Sequence, residues 1–186
     1  MEKKYQLILV GPSASGKSSI QGWLLENGGF KKPVNFTTRS ARNDGELDEY
    51  VFLGVDEFVT KLRKGHFLEH TVYNGNFYGV TKFLDHSSHN CIVVDPVGLA
   101  QLQRHFTLEG VPFFTAYVSV SRETQEKRLQ ARRLSYTEVE ARKTDMEWFP
   151  LAHKDFTLDG EKTVEGEARR AIELVKAAQK ELRKNG

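Results

Sequence analysis

Gly11-Pro12-Ser13-Ala14-Ser15-Gly16-Lys17-Ser18 is the stretch that decides how this chain reads. It meets every fixed position of the pattern G-x-x-x-x-G-K-[ST]. Before it, residues 5–10 form an apolar run the length of one buried strand. After it, residues 17–26 carry a helical pattern closed by Asn27-Gly28-Gly29. Glycines let the backbone curl until consecutive N–H groups and the helix N-terminus point at phosphate oxygens. Lys17 then reaches the β and γ phosphates, and the Ser18 hydroxyl ligates Mg²⁺. The motif predicts a bound nucleoside triphosphate, ATP or GTP, held by Gly11, Ser13, Ala14, Ser15, Gly16, Lys17, Ser18 and Ser19.

Working outward, the alternation of strand and helix continues. Apolar runs recur at residues 91–94, 112–120 and 155–158, and helical stretches at 97–105, 122–133 and 164–184. The last has Val164, Ala168, Ala171, Ile172, Val175, Ala178 and Leu182 on one stripe, opposite a charged face. Such alternation predicts an α/β fold with a parallel sheet and ligands at the carboxyl ends of its strands. Residues 36–78 break the pattern, being rich in arginine, aromatics and glycine with short extended pieces such as Tyr50-Val51-Phe52-Leu53. They read as a small excursion inserted into the parallel core.

Composition bounds the rest. The 186 residues fit one domain with a core of its own. Apolar residues at 39% and charged residues at 28% are ordinary for a soluble globular chain. A formal net charge of +2 provides no field for nucleic acid or a membrane surface. The single cysteine, Cys91, excludes a disulfide framework and reads as a small buried hydrophobe, which suits a reducing, cytoplasmic setting. The run after Met1-Glu2-Lys3-Lys4 is too short for a signal peptide or membrane span. No H-E-x-x-H or Cys/His cluster supports a zinc site, and His86 and His89 read as solvated loop residues.

The excursion carries a second signal. Thr37-Thr38-Arg39-Ser40-Ala41-Arg42 sets two guanidiniums three residues apart, and Tyr50 and Tyr78 follow. Two arginine forks and two phenols suit a dianionic phosphate. Spacing alone leaves this open against solvated arginines and core tyrosines. Taken with the phosphate loop, the segments Thr37-Thr38-Arg39-x-x-Arg42, Tyr50, Phe67-Leu68-Glu69 and Gly75-Asn76-Phe77-Tyr78-Gly79 resemble guanylate kinase, in order along essentially the whole chain. The resemblance implies a P-loop kinase with a parallel-sheet core (about 1–34, 82–125 and 149–186). It adds an inserted monophosphate-binding lobe (about 35–81) and a mobile helical lid (about 126–148). It implies transfer of the γ-phosphoryl of ATP, with Mg²⁺, to GMP or dGMP. Arg39, Arg42, Tyr50 and Tyr78 would clamp the acceptor phosphate and Glu69 would read the base. One carboxylate can accept from guanine N1–H and the exocyclic amine together, whereas adenine opposes it with a lone pair at N1.

Arg128-Leu129-Gln130-Ala131-Arg132-Arg133 and then Arg142 resemble the family's lid arginines, so Arg132 and Arg142 join Lys17 as expected catalytic residues. Helical spacing would equally place such arginines on a solvated face. Asp95 follows an apolar run and would hold Mg²⁺ through water or touch the acceptor ribose. Asp95-Pro96-Val97-Gly98 also fits the D-x-x-G of GTPases, but no N-K-x-D accompanies it. The chain departs from the family at Asn35, where a serine is usual, and at Val80, where a Thr or Ser hydroxyl is usual. The segment between Arg42 and Tyr50 is one residue short, leaving Asp44 or Glu46 for the family's acidic position. Asn35 can still donate to guanine O6; Val80 cannot donate. Two alternatives stand beside this reading: a ribose 1,5-bisphosphate phosphokinase of the same fold, against which Glu69 argues, and a non-catalytic guanylate-kinase-like interaction module, against which the intact Gly16-Lys17-Ser18 argues. The sequence sets no oligomeric state.

Overall fold

The computed structural model describes residues 4–41, 45, 47, 49–73, 75–132, 139–140, 142 and 154–184. The element order is β1 (Gln6–Val10), α1 (Lys17–Asn27), β2 (Phe30–Lys31), β3 (Asn35–Thr37), β4 (Val51–Phe52), α2 (Val55–Arg63), β5 (Phe67–Tyr73), β6 (Asn76–Thr81), β7 (His89–Val93), α3 (Pro96–Leu108), β8 (Phe113–Ser119), α4 (Arg122–Gln130), β9 (Phe156–Asp159) and α5 (Val164–Lys184). Five strands form a parallel sheet in the order β2-β7-β1-β8-β9. Both faces of that sheet are covered, which is why β1 is buried at every position. Leu7 and Leu9 pack toward α1 and α5 with Ile20, Leu24, Ala168, Ala171 and Val175. Ile8 and Val10 pack the other way, toward α3, with Leu99, Leu102 and Phe106. The expected α/β architecture with a parallel core is thus present, and β1 ends at its centre, directly before the phosphate loop.

The excursion contains a second sheet of four strands, ordered β4-β3-β6-β5, in which β3 and β5 run antiparallel to β6. It also contains α2, a helix absent from the sequence expectations. Val55, Phe58, Val59 and Leu62 fall at helical spacing, Asp56 and Glu57 occupy the first turn, and Lys61 and Arg63 the last. Those signals are in the sequence, within a stretch whose arginines, aromatics and glycines read as a small excursion with short extended pieces. Its buried Phe58 stacks on Phe67 at 4.6 Å and on Phe77 at 5.3 Å between ring centroids, which fixes α2 to the second sheet.

One minor expectation is corrected. His89 is not a solvated loop residue but the first residue of β7, half-buried, with its Nδ1 accepting from the Tyr5 N–H at 3.3 Å and its ring 4.0 Å from the Tyr5 ring. The strand begins two residues earlier than the apolar run suggests, and this imidazole satisfies the backbone donor of Tyr5 just before β1. Cys91 is fully buried, and burial pushes its thiol well above the usual range.

Candidate active site

The loop between β1 and α1 is held from behind. Its carbonyls are taken one after another by side-chain donors: Lys17 Nζ bonds the carbonyls of Gly11 at 2.8 Å and Pro12 at 2.7 Å, Gln125 Nε2 that of Ser13 at 3.2 Å, and Arg128 Nη1 that of Ala14 at 3.1 Å. A peptide whose carbonyl is fixed on one side presents its N–H to the other, so these bonds bias the loop toward an anion-binding concavity. Ala14 sits at φ 62° and Gly16 at φ 107°, left-handed conformations that curl the chain and that cost a residue with a Cβ more than a glycine. The Ser15 Oγ is buried with no hydrogen-bond partner among the described residues. Ser18 and Ser19 are exposed at the start of α1.

Gly160, in the turn after β9, closes the back of the loop. A Cβ there would lie 2.0 Å from the Ser15 carbonyl oxygen, and the Gly160 carbonyl itself accepts from Arg128 Nη2 at 2.8 Å. Gly160→Ala is therefore expected to displace the loop, weakening ATP binding at least tenfold while GMP binding holds. Nucleotide titration by calorimetry checks this, and unchanged ATP affinity would show that the close approach has no functional weight.

Three of the four residues expected to clamp the acceptor phosphate come together. The Arg39 guanidinium carbon lies 5.6 Å from the Tyr50 ring centroid, and the Tyr50 and Tyr78 rings are 6.3 Å apart. Arg42, like Asp44 and Glu46, lies outside the described residues. A cation that sequence reasoning passed over joins the group: Lys32 Nζ is 5.7 Å from the same Tyr50 ring. Burial lowers the Lys32 pKa, partly opposed by the charge of Glu49. Nothing in Phe30-Lys31-Lys32-Pro33 marks it, since a lysine pair ordinarily reads as solvated surface.

The residues expected at the base share one row of the second sheet. Val80 on β6 pairs with Asn35 on β3 on one side and with Glu69 on β5 on the other, so the three side chains project from the same face. Val80 packs into the core beneath, beside Val94 and Leu99. Glu69 is only 3% exposed, and its Oε2 has no partner among the described residues; Asn35 Oδ1 is buried and likewise without one. Oε2 points at the first turn of α3, where a Cβ on Gly98 would come within 2.5 Å of it. Gly98 is thus required by the approach of Glu69, and the D-x-x-G spacing seen in the sequence has this for its reason. Asp95 caps the same helix, its Oδ1 accepting from the Gly98 N–H at 2.8 Å.

Burial, then the nearby charge of Asp95, raise the Glu69 pKa to about 8, against a smaller opposing effect of the Val80 N–H hydrogen bond. At neutral pH the free protein thus holds a proton that the unfolded chain has lost, and Glu69's contribution to stability is lost as pH rises from 4.5 toward 8. A carboxylate that must accept two N–H donors has to give that proton up. Affinity for GMP should therefore rise with pH up to about 8 and then level off. Glu69→Gln should flatten the profile. Calorimetry in buffers of different ionisation enthalpy measures the proton directly, and absence of proton release at pH 7 would refute the assignment.

The arginines expected on the lid differ in setting. Arg132 is exposed beyond the end of α4, whereas Arg142 is only 5% exposed, with its Nε lacking a partner among the described residues. Sequence reasoning missed Gln125, which is fully buried and donates to the Arg142 carbonyl at 3.1 Å as well as to Ser13.

A parallel sheet whose central strand runs into a glycine-rich loop and a helix defines a P-loop nucleotide-binding protein. Residues 3–146 match the family model of guanylate kinase. The guanylate kinase of Chlorobaculum tepidum is 31% identical over 183 residues, 91% of this chain and 92% of that protein. That of Clostridium acetobutylicum is 33% identical over 162 residues, 83% of this chain and 74% of the relative. The match to the Clostridium tetani guanylate kinase is 33% identical over 121 residues and spans 61% of this chain but 57% of that relative's length. Among solved structures, the guanylate kinase of Anaplasma phagocytophilum superposes with a TM-score of 0.70 at 22% identity, covering 96% of this chain and 88% of that one. A gluconokinase from Sinorhizobium meliloti shares the fold at a TM-score of 0.56 and 14% identity, covering 100% and 99% of the two chains. The chain belongs to the guanylate kinase family.

Proposed function

We propose that this protein transfers the γ-phosphoryl group of ATP to GMP or dGMP, giving ADP and GDP or dGDP. The observation that carries the reading is the buried Glu69 carboxylate, in one sheet row with Asn35 and against Gly98 and Asp95, on the same small sheet that gathers Arg39, Tyr50 and Tyr78. A buried acceptor with an unused oxygen asks for donors, and guanine presents two side by side. A sugar bisphosphate has no such edge, so the ribose 1,5-bisphosphate alternative leaves Glu69 unexplained.

In this reading the acceptor phosphate lies against Arg39, Arg42, Tyr50 and Tyr78, and the triphosphate against the loop of residues 11–19. Lys17 exchanges its two carbonyl partners for phosphate oxygens, while Arg132 and Arg142, on a lid over about 126–148, balance charge on the transferring group, Arg142 being already buried in the free protein. The acceptor is itself a phosphate with a second pKa of about 6, so no general base is required. Among the described residues no cluster of His, Cys, Asp and Glu would hold a metal alone, which fits an ion carried in on the triphosphate with the exposed Ser18 hydroxyl as its protein ligand. Mg²⁺ would there offset phosphate charge. The reading goes with a cytoplasmic site of action, and no described helix is long and apolar enough to cross a membrane.

An assay of ADP release over ribo- and deoxynucleoside monophosphates and ribose 1,5-bisphosphate tests it: GMP and dGMP should be the best acceptors. Arg39→Ala should raise KM for GMP tenfold or more and leave that for ATP little changed, because this fork meets only the acceptor. Arg142→Ala should lower kcat instead. The same kinetic signature from both variants would show the roles to be misassigned.

A further inference from the structure

The amide of Gln125 is bonded to two segments remote in sequence, and neither bond is explained by the fold alone. Its Nε2 donates one hydrogen to the Ser13 carbonyl in the phosphate loop and the other to the Arg142 carbonyl. The side chain is fully buried, and its Oε1 has no partner among the described residues. One turn further along α4, Arg128 takes the next loop carbonyl, that of Ala14, so the inner face of this helix reads consecutive peptides of the loop. The surroundings are otherwise apolar: Leu129 on the same helix packs with Ala14 and Val139.

Burying a primary amide with an idle oxygen costs free energy, which its two bonds to the Ser13 and Arg142 carbonyls offset. What those bonds do beyond satisfying two carbonyls is set by the segments they join. Hydrogen bonds of 3.2 Å and 3.1 Å sharing one nitrogen keep the Ser13 and Arg142 carbonyl oxygens within two hydrogen-bond lengths of each other, so the backbone at Arg142 is referenced to the loop proposed to cradle the triphosphate. The Arg142 guanidinium sits in the same buried region with an unused Nε. Phosphoryl transfer depends on placing such a charge accurately, and an error of 1 Å costs on the order of 10²-fold in rate.

We propose that Gln125 is a positioning residue for phosphoryl transfer, a buried amide tie that sets Arg142 relative to the donor-phosphate loop. The proposal rests on the phosphoryl-transfer reading above. Gln125→Met and Gln125→Leu remove both donors and keep the volume. Each should stay folded with a modestly lowered melting temperature, since two carbonyls lose a donor, lower kcat about tenfold per titrated active site, and leave KM for GMP and ATP within about threefold. In the Arg142→Ala background the same substitutions should change kcat no further, because a residue acting only through Arg142 has nothing left to position. Undiminished kcat in the variants, or losses that multiply with that of Arg142→Ala, would overturn the proposal. So would a lowered melting temperature with kcat unchanged per titrated active site, the signature of a purely structural amide. The unbranched Gln125→Met carries the test should Gln125→Leu fail to fold. The unaltered protein in the same assay keeps the two claims apart: no turnover of GMP there refutes the phosphoryl-transfer reading, whereas an active protein with unaffected variants refutes the role of Gln125 alone.

Discussion

Lys17→Met should lower kcat for phosphoryl transfer by on the order of 10² or more in a protein that remains folded. Methionine keeps the length of the side chain and removes its charge. In the structure the ammonium is bonded to the Gly11 and Pro12 carbonyls of the loop. Moving to the phosphates exchanges two neutral acceptors for charged ones, which strengthens the interaction as charge builds on the transferring group. The effect should fall on kcat, with KM for GMP little altered, since in the proposed reading the acceptor phosphate lies against Arg39 and its neighbours. Circular dichroism and a melting curve establish the fold, and steady-state kinetics the rest. A folded variant with near-normal turnover would remove the loop lysine from the mechanism.

The second large effect concerns the base. Above about pH 8, where Glu69 is ionised, GMP should be preferred over AMP by on the order of 10³ or more in kcat/KM, because a buried carboxylate facing the adenine lone pair is desolvated without compensation. At lower pH the protonated carboxyl can donate to that lone pair, and the preference should narrow. Glu69→Gln should erode that preference, mainly by weakening GMP, since an amide has one acceptor oxygen where the carboxylate has two. The packing of Val80 into the core bears on the margin: no hydroxyl is available at that row position, and Asn35 is left as the neutral group beside Glu69. Turnover of AMP, a pyrimidine monophosphate or ribose 1,5-bisphosphate faster than GMP and dGMP would refute guanine as the base while leaving a P-loop kinase.

What could be read from the chain alone was local. The phosphate loop, its flanking strand and helix, and the alternation that makes a parallel sheet are encoded over short windows, and their boundaries shift by only a few residues in the structure. Glu69, Arg39, Tyr50 and Tyr78 were legible as candidates only through a family pattern, because an isolated carboxylate or arginine carries no mark of burial. Helix α2 shows the opposite case, a segment with a proper apolar stripe and favourable end charges that was hidden by its unusual neighbours. The supports of the site were not legible at all. Gly98 and Gly160 are glycines because of atoms from Glu69 and Ser15, and Gln125 and Arg128 act on carbonyls more than a hundred positions away. No window along the chain contains both partners of such a contact.

The carbonyl ties behind the phosphate loop also bear on how the protein is made. Residues 11–16 emerge early in synthesis, but Gln125, Arg128 and Gly160 emerge much later. At about 5–20 residues per second the interval is roughly 6–30 s. For that time the glycine-rich segment exists on the ribosome without the Gln125 and Arg128 bonds to its Ser13 and Ala14 carbonyls, so the concavity proposed for ATP is not yet complete. Nucleotide therefore acts as a stabiliser of finished molecules rather than as a guide to nascent ones. Ribosome-bound chains arrested before residue 125 should fail to retain a fluorescent ATP analogue that the released protein binds.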